Sequence, residues 1–155
     1  MVKKSVFSVE KPEDSLGFLL WKNTTTWQRR IKEALLPHDI SHAQFVIMAV
    51  TRWFFETKQE PTQVHIAQLS GLDKMTISKS LKKLAAMGLV SRAEDSRDTR
   101  AKTVALTAKG NKLVGNLVAI VEGIDGKFFG VLTGKEQKLL GEVFCDLDTR
   151  NSEGI

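Results

Sequence analysis

Cysteine is almost missing from the sequence: Cys145 stands alone, which excludes an intrachain disulfide and a cysteine metal cluster. No apolar run reaches the roughly 18–20 residues that a membrane span requires, and the start, MVKKSVFSVEKPEDS, lacks the apolar core of a signal peptide. No nucleophile–base pair, phosphate-binding loop or metal signature is recognisable. We therefore expect a cytoplasmic protein without a cofactor, a metal or a catalytic residue.

The composition is that of a globular protein, with 155 residues of which 42% are hydrophobic and 26% are charged. Domains usually have about 100–200 residues, so a single domain spanning 1–155 is predicted. The net charge of +5 lies in one segment: from Lys74 to Lys102 there are eight basic and three acidic residues, whereas the rest of the chain has fifteen of each. A concentrated basic patch indicates a polyanionic partner, with nucleic acid first and an anionic membrane surface second.

The first third of the chain predicts two helices. One begins at Asp14 or Ser15, carries apolar residues at helical spacing and ends near Pro37. Ser41 and Gln44 then form a capping box, in which each side chain satisfies a free backbone amide. The second helix, AQFVIMAVTRWFFE, is apolar on most sides, which predicts a buried central helix.

Residues 60–90 predict a helix-turn-helix. Thr62 is a good N-cap for a short helix, Gly71 can adopt positive φ at its end, and Asp73 caps the next helix. The second helix has an apolar side formed by Ile77, Leu81, Leu84 and Ala85, and an outer side formed by Met75, Lys79, Lys82, Lys83 and Ala86. Gly88 ends it, and the strand-like segments 89–93 and 102–106 flank the charged tip DSRDTR of a hairpin. This is a winged helix-turn-helix layout.

Two more helices follow the hairpin. Thr107 caps the first of them, and a capping box of Thr133 and Glu136 opens the second. Too little chain remains to cover their apolar faces, which predicts burial against a second copy. The predicted fold is mainly α with a small β-hairpin wing (α+β): a winged helix-turn-helix DNA-binding lobe at 38–106, with N- and C-terminal dimerisation helices at 1–36 and 107–150.

Residues 62–92, TQVHIAQLSGLDKMTISKSLKKLAAMGLVSR, followed by DSRDTRAKTVALTAKG, resemble the MarR family of bacterial transcriptional regulators. The resemblance rests on a helix-turn-helix followed by GLV, a D-x-R wing and L-T-x-x-G, and it runs over nearly the whole chain. It implies a homodimer whose first and last two helices intertwine on a roughly palindromic DNA operator. The implied function is a sequence-specific regulator of transcription, in the first place a repressor, which a small effector often releases.

The outer side of the second helix of the pair predicts the contacts with DNA. Small polar side chains near the N-terminus of a recognition helix reach base edges in the major groove, and lysines reach phosphates. Thr76 and Ser78 are candidates for base contact, and Met75 can touch a thymine methyl group. Lys74, Lys79 and Lys82 are candidates for contacts with the backbone.

The wing adds a second predicted contact. Arg97 at its tip can enter the narrow minor groove, whose negative potential attracts arginine. By resemblance to the D-x-R motif, Asp98 turns inward and holds Arg100 in place. A merely solvated charged loop is the alternative interpretation.

An effector site is a further implication of the resemblance, because relatives that bind aromatic acids hold them between the dimerisation helices and the DNA-binding lobe. A small aromatic or phenolic effector would then lie near six residues, although aromatic residues at helical spacing are more often core. The absence of tyrosine removes one common partner of phenolic ligands. The six are Trp21, Trp27, His42, Phe45, Trp53 and Arg92.

Three other residues have plainer interpretations. His38 and His42 have the spacing of two metal ligands on a helix, but the Ser41 cap lies between them and no zinc set is completed, so locally bonded histidines are expected. Cys145 is expected to be a small core hydrophobe rather than a redox sensor.

A winged-helix interaction module or anti-activator that does not read DNA is the alternative function, against which the distributed Lys and Arg argue.

Overall fold

The computed structural model describes residues 5–94 and 102–152, which form six α-helices and one antiparallel two-stranded sheet. Two single-turn 3-10 helices, Pro12–Asp14 and Leu36–His38, flank the first α-helix. The predicted class, mainly α with a β-hairpin, is confirmed. The elements are α1 (Leu16–Leu35), α2 (His42–Glu56), α3 (Gln63–Ser70), α4 (Lys74–Ala86), β1 (Val90–Glu94), β2 (Lys102–Leu106), α5 (Ala108–Phe129) and α6 (Gly134–Ser152).

Each α-helix begins after a side chain that accepts a hydrogen bond from a backbone amide of the first turn. At α2 the predicted capping box is present, because Ser41 Oγ accepts from the Gln44 amide at 3.1 Å and Gln44 Oε1 accepts from the Ser41 amide at 2.9 Å. At α3 a histidine takes the place of the usual Gln or Glu: His65 Nδ1 accepts from the Thr62 amide at 3.2 Å. The capping residues are Ser15, Ser41, Thr62, Asp73, Thr107 and Thr133.

Helix α2 lies at the centre of the fold, in contact with α1, α3, α4, α5 and β2. Its first three turns bury Phe45, Ile47 and Met48, as expected of a central helix. The expectation is wrong at its C-terminal end, where Trp53 is 61% exposed and Phe55 is also exposed. The helical turn directs both side chains away from α3 and α5, which contact their neighbours Phe54 and Arg52.

The hairpin is attached to the helices at its base. Val90 pairs with Leu106 and Glu94 with Lys102, so β1 begins and ends one residue later than predicted. Val104 is buried, and its amide donates to the Pro61 carbonyl oxygen at 2.8 Å. The start of α3 and the second strand of the hairpin are therefore held together.

The first half of α1 and the whole of α6 expose apolar residues. Leu16 is 83% exposed, and α6 buries none of its side chains against the rest of the chain. Cys145, which was expected in the core, is exposed on α6 for the same reason. This is the surface for which the sequence predicts burial by a second copy.

Candidate nucleic-acid interface

Helices α3 and α4 form the predicted helix-turn-helix. Gly71 ends α3 with φ at 69°, a left-handed conformation in which a side chain is strained. Two residues later Asp73 caps α4. The short turn fixes the angle at which α4 leaves α3, and therefore which side of α4 faces outward.

Helix α4 has the two predicted sides. Ile77, Leu81 and Leu84 are buried against the core, which anchors the helix. The opposite side is open, and Met75 at its N-terminal end is 67% exposed. The six α4 residues that the sequence assigns to DNA contact lie outside the buried side of the helix: Lys74, Met75, Ser78, Lys79 and Lys82 are exposed and Thr76 is half-buried. The structure thus brings these six together, and their contacts with DNA stay predictions.

Asp73 holds the first turn of α4 with both carboxylate oxygens. Its Oδ1 accepts from the Thr76 amide at 2.8 Å, and its Oδ2 accepts from the Thr76 hydroxyl at 2.6 Å. The hydroxyl bond, followed by the amide bond, lowers the pKa of Asp73 although the residue is exposed. The carboxylate is therefore ionised at neutral pH.

The base of the wing is tied to both neighbouring helices by Thr107. Its hydroxyl donates to the Gly88 carbonyl oxygen at 2.7 Å and accepts from the Gly110 amide at 3.0 Å. Its own amide donates to the Leu89 carbonyl oxygen at 3.1 Å. The L-T-x-x-G segment therefore couples the end of α4, the start of β1 and the start of α5.

The wing residues Arg97, Asp98 and Arg100 lie outside the described residues, and their roles stay predictions.

Two of the six residues predicted near an effector meet in the structure. The rings of Trp27 and His42 pack edge to face with centroids 5.2 Å apart, and Trp27 Nε1 donates to Asp125 Oδ1 at 2.7 Å. These contacts join α1, α2 and α5. Burial lowers the pKa of His42, while the charge of Asp125 opposes the shift.

One of the other four predicted effector residues, Phe45, lies one helical turn after His42, and Trp27 packs against the core that contains it. Trp53 lies eleven residues after His42 on α2, about 16 Å along the helix at 1.5 Å per residue. Trp21 is exposed on α1, Arg92 is exposed on β1, and Phe45 is buried in the core. Trp53 therefore lies apart from this cluster, and a role of all six residues in one effector site stays a prediction.

A cleft opens beside His42. It has a volume of about 450 Å³ and lies between α1, the start of α2 and the C-terminal half of α4. Lys83 Nζ is 3.9 Å from Asp39 Oδ1 across it. The lining residues are Gln28, Lys32, Leu36, Asp39, Ile40, Ser41, His42 and Lys83.

Several of these contacts could not be predicted from the sequence, because they join residues that are far apart in the chain. Asp125 lies 98 residues after Trp27, and Lys32 and Lys83 are separated by three helices, so only the fold brings the partners together. One signal was available: Asp125 is an acid inside the otherwise apolar stripe of α5.

The described residues 5–94 and 102–152 contain no group of three or more His, Cys, Asp or Glu side chains arranged to hold a metal ion. His38 ends a 3-10 turn and His42 opens α2, so the two do not share a helix face. Among the same residues no helix is long and apolar enough to cross a membrane.

Comparison with known proteins gives one consistent class. The family model described as an ArnR1-like winged-helix domain matches residues 37–122. The chain is 34% identical over 130 residues to the uncharacterized HTH-type transcriptional regulator YdcH of Bacillus subtilis (strain 168), covering 84% of this chain and 88% of that protein.

Solved structures match the fold. Bordetella bronchiseptica BpsR, whose DNA binding is regulated by 6-hydroxynicotinic acid, has a TM-score of 0.81 at 21% identity, covering 91% of this chain and 98% of that one. An Escherichia coli MarR C80S mutant complexed with operator DNA has a TM-score of 0.75 at 24% identity, covering 85% and 92%. At these identities the likeness shows the fold alone.

Proposed function

We propose a function from the premise that the chain belongs to the MarR family of winged helix-turn-helix transcriptional regulators, proteins that are not enzymes. The proposal is that this regulator works in the cytoplasm as a homodimeric repressor. It binds a palindromic operator in double-stranded DNA, with one α4 in the major groove of each half-site and Arg97 and Arg100 of each wing beside the minor groove. Transcription falls because the bound dimer blocks the promoter.

The outward side of α4 is the observation that carries the proposal. Its apolar side is anchored by Ile77, Leu81 and Leu84, so the helix presents the other side as a rigid unit. That side combines exposed lysines with the small polar Thr76 and Ser78 near its N-terminus, the combination that suits phosphates at the rim and base edges at the centre of a major groove. Excess positive charge of the chain is confined to this helix and the wing after it.

Selection of bound sequences from random duplex DNA with the purified full-length chain tests the proposal. We expect enrichment of an inverted repeat whose half-sites are about ten base pairs apart, since two recognition helices of a dimer enter successive major grooves. Enrichment of no sequence, with a purified partner protein retained instead, would favour the interaction module that does not read DNA.

The homodimer is supported by a large apolar groove. Its volume is about 830 Å³, and it is formed by the first half of α1, the end of α5 and α6. Phe128 and Phe129 line it, and Arg30 lies over the Phe128 ring at 5.4 Å. A second copy presents the same apolar helices, so the groove and the helices that fill it can be exchanged around a two-fold axis.

The effector is proposed to be a small aromatic acid that binds in the cleft beside His42. Lys32 and Lys83 offer cations to a carboxylate, whereas His42 offers a ring face. Because Lys83 belongs to α4, a ligand there acts directly on the recognition helix. Calorimetric titration with 6-hydroxynicotinate and its uncharged amide is the test, and we expect the acid alone to bind and Lys32→Gln to weaken it. Equal binding by Lys32→Gln and by the control Lys138→Gln on α6 would remove the cleft from the mechanism.

A further inference from the structure

The direction of one hydrogen bond at the start of α4 is fixed by chemistry. Asp73 Oδ2 lies 2.6 Å from Thr76 Oγ1, and an ionised carboxylate can only accept. The hydroxyl hydrogen of Thr76 must therefore point to Asp73. The backbone amide of Thr76 occupies the other carboxylate oxygen, so the pair is held at two points and the Thr76 rotamer is fixed.

With its hydrogen committed, the Thr76 hydroxyl presents lone pairs to any ligand that approaches from outside the helix. A free threonine hydroxyl can donate or accept and is tolerant of several bases. A hydroxyl that can only accept does not tolerate all bases, because only adenine N6 and cytosine N4 carry hydrogen-bond donors in the major groove. Guanine and thymine offer acceptors at the corresponding positions, which leaves two lone pairs facing each other.

We propose that Asp73 fixes Thr76 as an obligate hydrogen-bond acceptor, so that Thr76 selects adenine or cytosine at one position in each half-site. The inference rests on the proposed placement of α4 in the major groove. Thr76 is then a specificity-determining residue, and Asp73 is a positioning residue that acts through it.

The identity of the cap supports this role. The other five described α-helices are capped by Ser or Thr, and only α4 has a carboxylate in that position. Ser, Asn and Asp cap helices about equally well, so helix stability alone does not require the acid. A negative charge beside DNA repels phosphates whatever the sequence, which is a cost in affinity. In return, the carboxylate fixes the Thr76 hydroxyl as an acceptor, which a neutral Asn cap does not do.

The substitution Asp73→Asn reverses the hydrogen bond without removing the cap. The Asn carbonyl oxygen must face the Thr76 amide, because two N–H donors cannot face each other, and this places the Asn NH₂ group against the Thr76 hydroxyl. The hydroxyl oxygen then accepts from Asn, and its hydrogen is free to point outward. The variant can therefore donate to the DNA from the atom that only accepts in the wild type, and the second lone pair of that atom can still accept.

The test is selection from random duplex DNA by the wild type, Asp73→Asn, Thr76→Val and the double variant, all as full-length chains with melting curves recorded. We expect the wild type to prefer A or C at one half-site position by roughly three- to tenfold over G or T. Thr76→Val, which keeps the shape and loses the hydroxyl, erases the preference. Asp73→Asn relaxes the preference, because the Thr76 hydroxyl of the variant can pair with a donor or an acceptor, and the substitution has no effect on it when Val is at position 76.

The outcomes separate this inference from the proposed function. Because the loss of the Asp73 charge raises affinity for all sequences together, only the ratio between bases reports on the hydroxyl. An inverted repeat whose base preferences are the same in the wild type and in Asp73→Asn would overturn the inference and leave the proposed function in place. Failure of the wild type to enrich any sequence would overturn both.

Discussion

Gly110 is required by a close approach between two backbones. It lies in the first turn of α5, where its amide donates to Thr107 and its Cα faces the Leu89 carbonyl oxygen. A Cβ at this position would overlap that oxygen, which already accepts from the Thr107 amide. The glycine of L-T-x-x-G therefore lets α5 start directly against the strand that leads into the wing.

Substitution of Gly110 by Ala is expected to destabilise the protein by about 1–3 kcal/mol, since backbone atoms on both sides must move apart. Urea unfolding followed by circular dichroism measures the change. Gly115→Ala is the matched control on the same helix, because nothing lies within 4 Å of a Cβ there, and we expect it to be neutral or stabilising by up to about 1 kcal/mol. Equal stability of the two variants would contradict the close contact.

Because His42 is partly buried, we expect the protein to lose stability in mild acid. Burial holds its pKa below the ordinary value of 6.5, against the opposing charge of Asp125, so the folded chain binds a proton less readily than the unfolded chain. The contribution of neutral His42 to the free energy of unfolding is therefore fully present above pH 6.5 and is lost as the pH drops below it. Unfolding of wild type and His42→Gln across this range is the measurement, and we expect a shallower pH dependence in the variant. Parallel curves would show that His42 is not protonated on unfolding.

At the scale of elements, the helix starts were predictable and the partners of their outer faces were not. Caps are local chemistry: Ser41 and Gln44 are three residues apart and satisfy each other in any fold. The apolar side of α4 was predictable because its period alone defines it. The exposure of Trp53 was not, because hydrophobicity does not say whether another element covers a given side of a helix.

The candidate site divides in the same way. That the six α4 positions lie together was predictable from sequence because they share one short element, and their contacts with DNA stay a prediction. The Trp27–Asp125 hydrogen bond and the cleft beside His42 join elements that are distant in the chain, and no local pattern encodes them. The histidine in the α3 cap was missed because an imidazole is outside the Glu or Gln signature of a capping box.

We expect the removal of a lysine from the outer side of α4 to change the affinity for DNA and its dependence on salt. Lys79 is exposed on its outer side and is proposed to contact a phosphate, so Lys79→Ala is expected to weaken binding to all sequences alike. The slope of log affinity against log salt concentration is expected to fall in magnitude by about 0.9, the contribution of one phosphate contact. Fluorescence anisotropy over a salt series measures both effects. Lys135→Ala on α6 removes the same charge elsewhere, and a similar loss in that variant would assign the effect to net charge rather than to contact.

At the scale of the whole molecule, the chain separates its charge from its uncovered apolar surface. The basic excess lies between Lys74 and Lys102, whereas the apolar groove is formed by α1, α5 and α6. The basic segment is thus suited to a polyanion, and the groove is suited to a second copy. A dimer joined through the groove carries two α4 helices, and two half-sites bound together give an affinity that a single half-site cannot.

Phe144 tests this link between assembly and binding. It lines the groove from α6, and Phe144→Glu is expected to place a charge in the subunit interface and yield monomers. Sedimentation would then give the chain mass of 17.3 kDa instead of twice that value. Affinity for a full operator is expected to fall at least a hundredfold, to that of one half-site, because the second α4 no longer binds as part of the same molecule. Thr149→Glu adds the same charge to α6 outside the groove and is expected to remain dimeric, so a monomeric wild type, or a Phe144→Glu variant that is still dimeric, would contradict assembly through this surface.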